Sequence, residues 1–178
     1  AARKAAAKLN VPRIGVRFRL PAEMNVVEYF GRGPEENYID RNAGTLIGLY
    51  KTTADKMYYN YVRPQENGHH TDTRWLSLSK KGGKRLTIVA DSIIGFNALR
   101  NSIEDFDSEE ALPHPRQWNN FSPEEIANHD EEAARNVLRR MHHVNDITPR
   151  DFVEVCVDMK QQGVAGYNSW GARPEPGY

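Results

Sequence analysis

The strongest constraint on the fold is a period-two alternation near the start of the chain. Ile14, Val16, Phe18 and Leu20 alternate with Gly15, Arg17 and Arg19. Successive side chains of an extended strand point to opposite faces, so this spacing predicts a strand with one buried face and one wet face. Short strand-like runs follow at Val26–Phe30, Thr45–Tyr50, Tyr58–Val62, Arg74–Ser79, Arg85–Ala90 and Ile94–Leu99. They are separated by Gly31-Arg32-Gly33-Pro34, Pro64, Gly68 and Gly82-Gly83, which read as turns. A last run, Phe152–Lys160, is expected to bury Val153, Val155, Val157 and Met159 on one face. Many short strands punctuated in this way predict an all-β fold, an antiparallel β-sandwich.

One segment breaks the rhythm. Ser122 is placed as an N-cap, Pro123 at the first helical position and Glu125 at the capping-box position. Ile126, Ala133, Val137 and Met141 then recur at helical spacing, predicting an inserted amphipathic helix over 123–141. The Ala-rich opening, residues 1–10, reads as a short helix, a linker or an appended tail, leaving 11–178 as one partial sandwich domain. The Gly- and Pro-rich stretch from Gly163 to Tyr178 reads as a loop. With no strand after it, at least one sheet edge is expected to lack its natural partner.

Composition excludes several function classes. Twenty-four basic residues balance twenty-four acidic ones without a long single-sign run, which argues against a nucleic-acid or membrane-surface partner. No apolar stretch approaches the roughly 20 residues of a membrane span. Cys156 is the single cysteine, so neither an internal disulfide nor a thiolate metal cluster can form. The compartment stays open.

The candidate chemical groups are few. His69-His70 and His142-His143 are adjacent pairs whose members point in different directions, so neither makes a one-sided ligand set, and no metal site is expected. A retaining glycosidase needs two carboxyl groups roughly 5–5.5 Å apart. Glu35 and Glu36 are neighbours and cannot flank one glycosidic bond. Together with Glu66 they read as loop carboxylates that cap turns or pair with Arg32, Arg41 or Arg63. No catalytic residue is assigned. Trp170, in Gly166-Tyr167-Asn168-Ser169-Trp170-Gly171, is a loop indole. Such a ring either anchors the loop in a core or offers a stacking face, to which C–H groups of a sugar are complementary. Asn168 could then hydrogen-bond sugar hydroxyls.

Long ordered motifs extend this reading. Pro12-Arg13-Ile14-Gly15, the run Tyr29-Phe30-Gly31-Arg32-Gly33-Pro34-Glu35-Glu36-Asn37-Tyr38-Ile39-Asp40-Arg41, and Tyr61-Val62-Arg63-Pro64-Gln65-Glu66-Asn67-Gly68 with Asp72, Arg74 and Trp75 after it resemble the C-terminal domain of glycoside hydrolase family 2 β-galactosidases. The stretch Gly163 to Trp170 is similar to that family's glycine-rich loop ending in Ser-Trp. The resemblance spans about residues 12–100 and 142–173. It implies a large antiparallel sandwich of the galactose-mutarotase-like supersandwich type, here truncated, packed on a catalytic (β/α)8 barrel of the same enzyme. That barrel would carry both catalytic glutamates and the magnesium and sodium sites, leaving this chain without cofactor or catalytic group. The resemblance further implies that Trp170 is a substrate-binding platform for a β-galactoside, and that the full enzyme is a homo-oligomer.

The sequence departs from the family pattern at Tyr167 and Ala165, in a longer stretch from Pro113 to Arg140, and in lacking the family's last strands after Tyr178. Two readings from other classes remain beside it, a free-standing carbohydrate-binding module and a purely structural or interface domain.

Overall fold

A computed structural model describes residues 12–61, 64–106 and 147–164. These residues fall into two compact units, and the larger one (12–59, 66–101 and 149–164) contains every strand. Within the smaller one, a 3-10 turn at Ile103–Asp105 is closed by a reciprocal Ser102–Asp105 capping box.

Six strands build one antiparallel sheet: β1 (Arg13–Pro21), β2 (Val26–Gly33), β3 (Leu46–Thr53), β4 (His70–Ser79), β5 (Arg85–Leu99) and β6 (Phe152–Gln161). Their spatial order is β1-β6-β5-β4-β2-β3. The last strand therefore lies between the first and the fifth, pairing Arg17 with Cys156 on one side and Asn97 with Cys156 on the other. The all-β, antiparallel expectation is met. This sheet forms a sandwich-type layer whose buried face holds Val27, Tyr29, Leu76, Leu78, Phe96, Ala98, Val153 and Val155, none more than 1% exposed.

Several local expectations are corrected. Arg85–Ala90 and Ile94–Leu99 are not two strands but one, because register shifts opposite His70–Trp75 let β5 bend without ending. Gly31, Arg32 and Gly33 belong to β2 rather than to a turn, and the chain leaves the strand through a cis Gly33–Pro34 peptide. No Cβ can be accommodated at Gly31 without meeting Thr73, nor at Gly33 without meeting Tyr29 and Tyr50, so these glycines let neighbouring side chains cross the strand. Residues 58–61 are not in a strand, and the segment before them, Ala54–Met57, forms one helical turn (α1) that buries Ala54 and Met57.

The alternations at the two ends of the chain are also less clean than their patterns imply. On β1 the apolar face is only partly covered, with Val16 65% exposed. On β6 Val153 and Val155 are buried but Met159 is exposed, whereas the polar face of Glu154, Cys156 and Asp158 is buried throughout. The inserted helix expected over 123–141, the opening tail 1–10 and the loop with Ala165, Tyr167, Asn168 and Trp170 lie outside the described residues.

Candidate functional site

The polar face of β6 is buried because other segments bring charge to it. Arg13, at the start of β1, reaches Glu66 with both terminal nitrogens, Nη2 to Oε1 at 2.9 Å and Nη1 to Oε2 at 3.4 Å. Its Nε lies 3.0 Å from Asp158 Oδ1, close enough for an ion pair but without hydrogen-bond alignment. His69 Nδ1 lies 3.6 Å from Asp158 Oδ2. Asn97 on β5 donates from Nδ2 to Glu66 Oε1 and to the Asn67 carbonyl, both at 3.3 Å. The Tyr38 ring stacks on His69 at 5.3 Å, and Gly95 backs the His69 imidazole where any Cβ would collide with it.

Burial dominates the electrostatics of this cluster. It pushes the Asp158 carboxyl up to about 6, against the pull of Arg13. Burial likewise raises Glu66, again opposed by Arg13. Burial works against the Arg13 charge too, yet Glu66 and Asp158 hold the guanidinium above its usual value. His69 is held far below the ordinary imidazole range by burial, with Arg13 adding to it, so it is neutral beside Asp158. The Cys156 thiol is pushed up to about 12 by burial, which leaves it an inert core group.

A second network locks the two long motifs together. Asn37 donates from Nδ2 to the carbonyls of Arg32 and Glu35, and its Oδ1 accepts from the Thr71 amide and hydroxyl at 2.8 and 2.6 Å. The Asn37 amide donates to the His69 carbonyl at 2.7 Å. Glu36 accepts from the Gly68 amide and from Arg41, each at 2.6 Å. Arg32 pairs with Asp72 and also donates to the Thr45 carbonyl at 2.8 Å. His70 places Nδ1 3.0 Å from the Gly68 carbonyl and Nε2 3.2 Å from that of Pro34, with its ring packed on Tyr29 and Phe96. The adjacent histidines, His69 just before β4 and His70 at its start, thus serve different neighbours.

Two of the three carboxylates considered from sequence are accounted for in this way, and Glu35 is exposed. Glu66 is committed to Arg13 and Asn97, not to Arg32 or Arg41, and Glu36 is committed to Arg41 and Gly68, while Arg63 lies outside the described residues. Among the described residues no three His, Cys, Asp or Glu side chains gather to hold a metal ion. No described helix is long and apolar enough to cross a membrane. Sequence reasoning missed Arg13, His69, Asn97 and Asp158 as one unit. The only available signal was that Arg13 and Glu66 each sit inside a long ordered motif. Trp170 and Asn168 lie outside the described residues.

The motifs that interlock here also match known proteins. The sequence model of a family described as beta galactosidase small chain covers residues 2–178. The chain belongs to that family. A β-galactosidase of Arthrobacter sp. (strain B7) is 39% identical over 111 residues, 60% of this chain and 11% of that protein. One from Priestia megaterium is 30% identical over 168 residues, 94% of this chain and 13% of the relative. One from Streptococcus thermophilus is 27% identical over 164 residues, 92% of this chain and again 13% of the relative. The small-chain domain therefore spans only 11–13% of the length of these curated relatives.

Proposed function

We propose that the chain is the non-catalytic C-terminal sandwich part of a glycoside hydrolase family 2 β-galactosidase that cleaves terminal β-galactosides with retention. In this reading both reactive carboxyls belong to a (β/α)8 barrel supplied by the larger part of the enzyme. The observation that carries it is the engagement of Glu36 and Glu66. Each is tied to an arginine and a further donor that shape the motifs, an arrangement suited to holding a backbone in place and ill suited to delivering a proton or forming a glycosyl bond. Any magnesium or sodium would likewise be held by that larger part. Among the described residues, the buried Asp158 and the partly buried Glu66 surround Arg13, and the buried Glu154 faces Arg17 and Arg19, guanidinium groups that repel a cation.

The chain's own contribution to the substrate is Trp170, stacking on the incoming galactoside, with Asn168 as a hydrogen-bonding neighbour. An aromatic contact of this kind is worth about 1 kcal/mol, or roughly fivefold in affinity. In the full-length enzyme, Trp170→Ala is expected to raise KM for galactosides by about that factor with a smaller change in kcat. Steady-state kinetics on several galactosides checks this, and an unchanged KM across them sinks the assignment.

A further inference from the structure

The register of the sheet lines up four apolar side chains on the face opposite the core. Leu49 pairs with Phe30, Phe30 with Trp75 and Trp75 with Val89. Directly opposed residues of antiparallel strands share a face, so these four form one row across β3, β2, β4 and β5. The ends of the row are bare, Leu49 and Val89 each 73% exposed, while Phe30 and Trp75 are half-buried between them. Ile47, 43% exposed and paired with Arg32, continues the apolar surface along β3.

The surroundings have the character of an interface rim. On one side the next rung is polar, with Glu28 bridging Lys51 at 2.7 Å and Arg85 at 2.8 Å. On the other side Arg32 pairs with Asp72, and the Arg74 guanidinium lies over the Phe30 ring at 5.5 Å. An aromatic centre with aliphatic flanks and ion-paired margins is the anatomy of a protein–protein contact, and contiguous exposed apolar surface of this kind marks one. The chain matches 13% of the length of relatives that cover nearly all of it, and its family is described as a small chain, so the remainder of a β-galactosidase containing this domain is several times larger.

We infer that the Leu49–Phe30–Trp75–Val89 row is the seat of the larger remainder of the β-galactosidase, which lays an uncharged apolar layer over it with Phe30 and Trp75 as central anchors. This rests on the proposed function and adds the surface through which the two parts meet. The test uses the whole chain and the larger remainder of the β-galactosidase from the same source, supplied as a separate polypeptide, with affinity read by sedimentation. Leu49→Lys combined with Val89→Lys changes two side chains that are mostly in water, so far-UV dichroism stays unchanged while affinity falls by about tenfold or more. Lys84→Glu, on the hairpin turn away from the row, leaves affinity within about twofold. If the double lysine variant loses its β spectrum, Leu49→Ser with Val89→Thr replaces it, with an expected loss of about threefold. Native-like affinity in a folded row variant overturns the docking surface. A native chain that fails to bind the larger polypeptide overturns the underlying functional reading instead.

Discussion

Arg13 is the residue on which the interior of the sheet depends most. A buried carboxylate is costly unless paired, and the buried Asp158 and the partly buried Glu66 converge on this one guanidinium. Arg13→Met keeps much of the stem's packing but leaves both acids uncompensated. The expected loss of stability is about 3 kcal/mol, read as a shift in urea midpoint. Adding Glu66→Gln and Asp158→Asn to Arg13→Met is expected to recover a large part of that loss, since the neutral amides no longer require a counter-charge. A triple variant as unstable as the single one would mean that Arg13 acts through its packing alone. Neither partner of Arg13 can be named from its local sequence, because nothing near residue 13 reports what β6 or the 66–69 segment brings alongside.

Among the elements, the segment between α1 and β4 shows how backbone geometry serves the motif lock. Gly68 has φ +72°, and a Cβ there would lie 2.8 Å from both the Met57 carbonyl oxygen and Leu99 Cδ2. Gly82, in the β4–β5 hairpin, has nearly the same φ of +69°, with open space around it. Gly68→Ala therefore combines left-handed strain with a steric clash, an expected cost of about 3 kcal/mol. Gly82→Ala pays the strain alone, about 1 kcal/mol. Chemical denaturation of the two variants compares them directly, and equal losses would refute the crowding around Gly68. Sequence marked both glycines as breaks. It could not rank them, since the crowding at Gly68 comes from residues 57 and 99.

For the molecule as a whole, the buried polar cluster makes stability depend on pH through opposed groups, the raised acids Asp158 and Glu66 on one side and the lowered His69 on the other. Asp158 has its folded pKa raised to about 6 from an ordinary 3.8, so the folded state holds this proton more tightly. The stability gained is fully present below about pH 4 and is lost as pH rises through about 6, roughly 3 kcal/mol in total. His69 acts the other way. Its folded pKa lies well below 6.5, so unfolding is favoured by proton uptake as pH falls below that value. Asp158→Asn removes the first contribution and leaves the second. Between pH 4 and 6.5 the variant's unfolding free energy should climb more steeply than the native one, by up to about 3 kcal/mol over the window. Urea unfolding at pH 4 and 6.5 checks this, and parallel pH profiles would remove Asp158 from the account.

The sequence by itself determined most of the strand content, the run at Tyr58 being the exception. Alternation is a property of neighbouring residues, and β1, β2, β3, β4 and β6 lie close to where their patterns placed them. The glycine-rich motifs and their order were equally readable, and the family follows from them. Tertiary structure decided which faces are dry. Glu154, Cys156 and Asp158 read as the wet side of β6, yet Arg13 and Arg19 approach from β1 with compensating charge, and β5 pairs along β6 with Asn97 opposite Cys156. It also made one strand of β5, turned Gly31–Gly33 from a break into part of β2, and set Leu49, Phe30, Trp75 and Val89 in a single row. Period two says that a strand has two faces. Only the pairing of residues far apart in the chain says what each face meets.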